Sequence, residues 1–324
     1  MVLRVTRSTI GCTLCCLMQE KELRMKLLRS LLFAPGNRPR MLAKAGTVGA
    51  DAVIIDLEDA VPIAEKVATR PAVREAIDQI ATVHSTPVYV RINPLGAKTT
   101  FSQDLALGDL ESIVCPNLAG VIFPKAESAM EIKRIDEAIA HLESARGIPV
   151  GQVEVVPILE TAKGIMGAME IAQACHRRVP RVCFGAGDLT LDLGIEWTRG
   201  ETEVLFGRMW VVMASRAAEI EPPLDTVFPR IDDDEGLVRA ASLAKQLGFQ
   251  GKCCIHPRQV QQVNQVFSPS AEQVEYARRV VELFDQAELD GKASVMMDGK
   301  MLDYPIVEKE RRLLKRAATI GSRC

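Results

Sequence analysis

From residue 29 onward, short apolar runs alternate with longer stretches in which hydrophobic residues recur about every 3.6 positions. The runs cover 30–34, 52–57, 88–92, 120–124, 153–159, 181–185, 224–228 and 252–255. Most are continuous rather than alternating, the pattern of parallel strands covered on both faces. Between them, 127–146 is the clearest helix, with Ile135, Ile139 and Leu142 on one stripe and Glu131, Lys133, Glu137 and Glu143 elsewhere. A second helix is predicted over 201–219, where Trp210, Met209 and Met213 read as core packing.

Eight strands, each followed by a helical segment, predict an α/β fold of the (β/α)8 TIM-barrel type. A doubly wound sheet would carry a Gly-x-Gly-x-x-Gly turn after an early strand. The nearest match, Gly185-x-Gly187-Asp188, comes late and lacks the third glycine. The seventh strand is the weakest, interrupted by Asp225.

After residue 267 the pattern changes. Ser268-Pro269-Ser270 reads as a turn into a helix over 271–287; a short strand follows at 293–297, then a turn at Asp298-Gly299 and a helix opened by Pro305. The chain therefore divides into a leader (1–28), a barrel (29–267) and a C-terminal helical and β-turn extension (268–324). The leader holds Cys12, Cys15 and Cys16 without a second ligand pair for zinc, and is expected to be poorly ordered. Residues 1–19 carry Arg4 and Arg7 and no acid, so an organelle-targeting segment is an alternative; so is a translation start at Met25.

Composition narrows the function. The chain has 324 residues, 48% hydrophobic and 25% charged, which rules out dominant disorder. Its 40 basic and 42 acidic residues give a net charge of -2, so no broad positive field supports nucleic-acid binding. No run of about 20 apolar residues predicts a membrane span. Nine cysteines, an odd number, suit free thiols in a reducing cytoplasm, or an organelle matrix if the leader is a targeting segment.

In a barrel, reactive groups gather at the carboxyl ends of the strands. Those ends carry Pro35, the Asp56-Leu57-Glu58-Asp59 turn, Arg91, Asn93, Lys125, Glu160-Thr161, Asp188 and His256. Asp56, Glu58, Asp59, Glu160 and Asp188 would repel one another at one mouth unless neutralised. A hard divalent cation does this well, and Mg2+ keeps waters that a substrate can displace. Glu160 and Asp188, ending neighbouring strands, are the candidate metal ligands. Arg91 is positioned to grip a carboxylate bidentately, or to neutralise Asp56 or Glu58. Lys66, Arg70 and Arg74 form a helical row read in part as solvated face. His256 is read as structural or substrate-contacting.

Several ordered segments now coincide with one family. Arg29-Ser30-Leu31-Leu32-Phe33-Ala34-Pro35-Gly36-Asn37, Asp56-Leu57-Glu58-Asp59-Ala60-Val61, Arg91-Ile92-Asn93, Pro157-Ile158-Leu159-Glu160-Thr161, Phe184-Gly185-Ala186-Gly187-Asp188-Leu189-Thr190 and Cys254-Ile255-His256-Pro257 resemble the citrate lyase beta subunit family of the HpcH/HpaI aldolase superfamily. That superfamily includes malyl-CoA and citramalyl-CoA lyases. The resemblance implies a homotrimer or homohexamer, Mg2+ on Glu160 and Asp188, and Arg91 on the carboxylate of a 2-oxo acid. Arg29, Pro35, Lys125 and Glu58 become candidate substrate contacts. It also implies that Asp303, in the extension, reaches a neighbouring subunit's site and moves the substrate's proton.

The expected reaction is Mg2+-dependent cleavage of a carboxylate-bearing 3-hydroxyacyl-CoA thioester to acetyl-CoA and a 2-oxo acid. Alternatives are a malyl-CoA-type thioesterase, a citrate lyase beta subunit acting on a carrier-bound acyl group, a metal-dependent aldolase for free acids, and a non-catalytic assembly subunit.

Overall fold

Eight parallel strands close into a barrel, in sequence order, in the computed structural model, which describes residues 27–97, 104–175 and 177–321. They are β1 (Ser30–Pro35), β2 (Ala52–Asp56), β3 (Val88–Arg91), β4 (Leu118–Phe123), β5 (Glu154–Leu159), β6 (Cys183–Phe184), β7 (Leu224–Asp225) and β8 (Gly251–Cys254). Burial on both faces explains their unbroken apolar runs: all five residues of β2 are buried. The inner face carries Leu31, Ile54, Tyr89, Ile122, Val156, Ile158, Cys183, Leu224 and Cys253. The outer face packs against the helices.

Those helices are α1 (Pro39–Ala45), α2 (Lys66–His84), α3 (Leu105–Ile113), α4 (Ala129–Ala145), α5 (Ala162–Met166), α6 (Ala168–Gln173), α7 (Ala186–Leu193), α8 (Leu205–Ala217), α9 (Asp234–Leu247) and α10 (Pro257–Phe267). Helix α4 buries Ile135 and Ile139 as predicted, but its buried stripe ends on Glu143, paired with Arg178, rather than on half-buried Leu142. Ile132, Ile135 and Ile139 are fully buried, and Ser128 with Glu131 forms a reciprocal capping box that starts the helix. Helix α8 departs from the prediction. A 3-10 turn at Thr202–Val204 precedes it, and Met209 and Met213 are exposed rather than in the core. Trp210 is half-buried and stacks on exposed Phe206, with ring centroids 6.0 Å apart.

The weak seventh strand has a physical cause. Asp225 points away from the barrel interior into a fully buried cluster, bonded to Arg208 at 2.8 Å and to Lys252 at 2.6 Å. Glu201 adds a second carboxylate, 3.1 Å from Arg208. The polar residue that interrupts the apolar run ties β7 to β8 and to α8.

The extension is α11 (Ala271–Leu289), a two-stranded hairpin of β9 (Val295–Met297) and β10 (Lys300–Leu302), and α12 (Tyr304–Gly321). Asp298 and Gly299 turn the hairpin with φ of 51° and 78°, the left-handed pair that a two-residue turn requires. Val280, Phe284, Leu302 and Val307 form its small separate core. Residues 1–26, with most of the leader, lie outside the described residues. Among the described residues no helix is long and apolar enough to cross a membrane.

Candidate active site at the barrel mouth

Register puts the key side chains on one level. Pro35 pairs with Asp56, and Asp56 with Arg91, at the carboxyl ends of β1, β2 and β3. Arg91 grips Asp56 bidentately, Nε to Oδ1 at 2.7 Å and NH2 to Oδ2 at 2.6 Å. Its NH1 stands 2.9 Å from Glu58 Oε2, an ion pair outside hydrogen-bond angles, and 3.5 Å from Asp59 Oδ2. The Phe33 ring lies beneath the guanidinium, 5.1 Å away.

Burial raises the Asp56 carboxyl, but Arg91 and two backbone N–H donors outweigh it, so its pKa ends below the usual value. Glu58 goes the other way: burial dominates, Arg91 and Lys125 only partly offset it, and its pKa is raised.

Lys125 follows β4 with a φ of 50°, a left-handed conformation that costs a side-chain-bearing residue about 1–2 kcal/mol. In that conformation its backbone N–H donates to Glu160 Oε1 at 2.8 Å. Its ammonium donates to Glu58 Oε1 at 2.5 Å and lies 3.9 Å from Asp188 Oδ1. One residue thus links three carboxylates, two that follow strands and one on a helix.

Glu160 follows β5 and is buried. Burial, then the charges of Asp188 and Glu58, push its pKa up to about 8. Gly185 makes room for it, since a Cβ there would meet Glu160 Oε2 at 2.6 Å. Asp188 does not end a strand as expected; it lies in the first turn of α7, where backbone amides favour an anion. Thr226 fixes that turn by accepting the Ala186 N–H at 3.0 Å.

Pro35, Asp56, Asp59, Arg91, Glu160 and Asp188 line one cavity of about 480 Å3 at the mouth, floored by inner-face apolar residues. Two predicted residues are elsewhere. Arg29 precedes β1 at the opposite end, where Asp51 grips it at 2.8 and 2.9 Å and Ser268 accepts from it at 3.0 Å. Its place in the first matching segment put it with the substrate contacts, but a strand's first and last residues face opposite ends of a barrel. Asp303 caps α12, accepting the Ile306 N–H at 3.2 Å, and does not line its own chain's cavity. His256 caps α10 through Nδ1, which accepts the Arg258 N–H at 3.3 Å.

The basic row on α2 is solvated face only in part: Arg74 pairs with Asp78 at the surface, while Lys66 and Arg70 turn inward. Buried Lys66 donates to the carbonyls of Leu57 and Glu58 at 3.0 and 2.5 Å, and Asn93 also donates to Leu57 O at 3.1 Å. Arg70 holds Asp109, which accepts from Asn93. This buried network fixes the Asp56–Asp59 turn from below. Its sequence signal, a lysine that opens the helix after β2, does not distinguish it from surface charge.

The donor set suits a hard dication: two carboxylates, one of them buried and reluctant to ionise alone. Among the described residues no three His, Cys, Asp or Glu side chains converge on one metal position. Water or substrate would complete the coordination of an ion such as Mg2+, which retains waters readily.

Residues 29–257 match the sequence model of HpcH/HpaI aldolase/citrate lyase. The chain belongs to the HpcH/HpaI aldolase/citrate lyase family. Membership makes it an enzyme of lyase type. Within the family it is 36% identical over 292 residues to citrate lyase subunit beta of Leuconostoc mesenteroides subsp. cremoris, covering 90% of this chain and 94% of that one. It is 31% identical over 294 residues to a (3S)-malyl-CoA thioesterase of Cereibacter sphaeroides, covering 91% and 96%. The fold matches the CitE protein of Mycobacterium tuberculosis, solved with magnesium, acetoacetate and coenzyme A, with a TM-score of 0.71 and 30% identity over 91% of this chain and all of that one.

Proposed function

We propose that this family member is a Mg2+-dependent carbon–carbon lyase. It cleaves a carboxylate-bearing 3-hydroxyacyl-CoA thioester, of citramalyl-, malyl- or citryl-CoA type, to acetyl-CoA and a 2-oxo acid. The observation that carries the reading is the meeting of Glu160, Asp188, Arg91 and Lys125 at one mouth. The Mycobacterium relative, solved with magnesium, acetoacetate and coenzyme A, supports the ligand classes.

Glu160 and Asp188 would hold the cation, which when bound supplies Lewis-acid polarisation of substrate oxygens. Asp56 occupies the Nε and NH2 edge of Arg91, fixing its plane. The other edge is left to a substrate carboxylate, which displaces the looser contacts to Glu58 and Asp59. Lys125, held between Glu58 and Asp188, donates toward the thioester oxygen as negative charge develops there.

The substrate carbon still needs a proton donor that holds no metal. Asp303 serves in this reading, delivered from a second copy of the chain in a homotrimer or homohexamer, because it does not line its own chain's cavity.

Asp303→Asn tests the assignment and keeps an oxygen to cap α12. The variant should lose solvent exchange of the acetyl-CoA methyl protons while Mg2+ and 2-oxo acid binding stay within about twofold. Unchanged exchange would overturn the role of Asp303.

The Cereibacter relative supports a second reading, thioester hydrolysis at the same site. Mass analysis after incubation with Mg2+ and malyl-, citramalyl- or citryl-CoA separates the two. The lyase yields acetyl-CoA and an oxo acid; the thioesterase yields free CoA and the intact hydroxy acid.

A further inference from the structure

Helix α8 distributes its residues in the reverse of the usual barrel helix. It turns Gly207, Arg208, Val211, Ala214 and Ser215 inward, where Arg208 serves the buried cluster with Asp225. Its outward stripe is Phe206, Met209, Trp210 and Met213, the i, i+3, i+4, i+7 spacing of a face that is ordinarily buried. Phe206, Met209 and Met213 stand 64%, 47% and 61% exposed. Helices α5 and α6 pack against α8, and exposed Met166 and Met169, on either side of the α5–α6 junction, extend the face.

This is more apolar surface than one chain ordinarily leaves in water. At roughly 150–200 Å2 for a large apolar side chain, the exposed fractions amount to on the order of 500 Å2. That reaches the upper end of the largest apolar patch on a typical monomer, about 300–600 Å2. A stable interface takes about 800 Å2 from each partner, about three-fifths of it apolar. The face therefore supplies the apolar share of one such interface by itself.

We propose that the outward stripe of α8, with Met166 and Met169, is the surface on which a second copy of this chain docks. None of its six side chains is charged, so it selects no oppositely charged partner, and identical chains can share it. Phe206 lies in the first turn of α8, and barrel helices start at the carboxyl end of the strands. A copy docked there stands beside the mouth that needs Asp303. Only that need for a second copy rests on the lyase reading. The test reads mass and not turnover, so a failed lyase assay and a failed docking face are distinguishable.

Sedimentation velocity of the full-length chain at micromolar concentration should show an oligomer. Phe206→Glu combined with Met213→Glu should weaken association at least about a hundredfold. The product should be monomer with an unchanged circular-dichroism spectrum, because both positions are exposed in the single chain. Val83→Glu, at an apolar position on α2 that is 67% exposed, should leave the oligomer intact. Trp210 locates the contact. With Trp197→Phe it is the one tryptophan left, and its emission should shift to the red on dilution with the same midpoint as dissociation. A monomeric wild type, an oligomer that survives the double substitution, or Trp210 emission that ignores dissociation would overturn the docking face.

Discussion

The two ends of the barrel are both crowded with charge, but they balance it differently. At the amino end, Arg29, Arg181 and Arg316 meet Asp51, Glu154 and Glu221, three cations for three carboxylates. At the carboxyl end, Asp56, Glu58, Asp59, Glu160 and Asp188 face Arg91, Lys125 and, from below, Lys66, five carboxylates for three cations. Arg181 donates to Glu154 and to Glu221, each at 2.8 Å, with the Tyr89 hydroxyl 3.3 Å away, so the amino end is a lattice of matched pairs. The mouth keeps a surplus of negative charge beside a buried carboxylate. A balanced cluster holds a fold together; an unbalanced one needs a ligand.

Cutting the balanced end should have the largest effect. Arg181 is fully buried, and Arg181→Met leaves the Glu154 and Glu221 carboxylates without their cation in low dielectric. Breaking a buried pair on one side costs about 3–5 kcal/mol. Urea unfolding should show that loss as a lower midpoint. A loss below about 1 kcal/mol would mean that the amino end is not the structural lattice described above.

The surplus at the mouth should appear next, as a pH dependence. Glu160 has a folded pKa of about 8 against an ordinary 4.5, so between those values the folded state holds more protons than the unfolded state. Stability of the metal-free protein therefore falls as pH rises through that window, by on the order of 3 kcal/mol between pH 5 and 8. Glu160→Gln should flatten the slope, and Mg2+ should flatten it in the wild type by stabilising the charged form. Chemical denaturation in a chelator at several pH values measures this. A slope that survives Glu160→Gln would place the surplus elsewhere.

The contrast between the ends also explains what sequence could reveal. Apolar runs and helical periods marked the barrel because burial on both faces leaves that signature in every strand. Even Asp225, which weakened the β7 pattern, marks a buried ion cluster rather than a missing strand. The mouth was legible because strand ends are fixed by the same pattern, and Asp56, Arg91, Lys125 and Glu160 follow directly from it. Arg29 was misplaced because a motif spanning a whole strand contains residues from both ends of the barrel. Lys66 and the Asn93–Asp109–Arg70 chain were hidden because nothing in a charged helical row says which members turn inward.

The smallest effect tests why the mouth tolerates its surplus at all. Asp59 is the most exposed of the five carboxylates, its side chain 58% accessible, and its contacts to Arg91 and Lys125 are long, at 3.5 and 4.0 Å. Solvent screens such a charge, so Asp59→Asn should change stability by less than about 0.5 kcal/mol, and by less still in high salt. Asp56 makes the opposite control: it is buried and bidentate with Arg91, so Asp56→Asn should cost several times more. If thermal unfolding finds the two substitutions equal, the excess charge is not graded from a screened rim to a desolvated floor. The burial that sets Glu160 apart would then lose its meaning as the feature that calls for a cation.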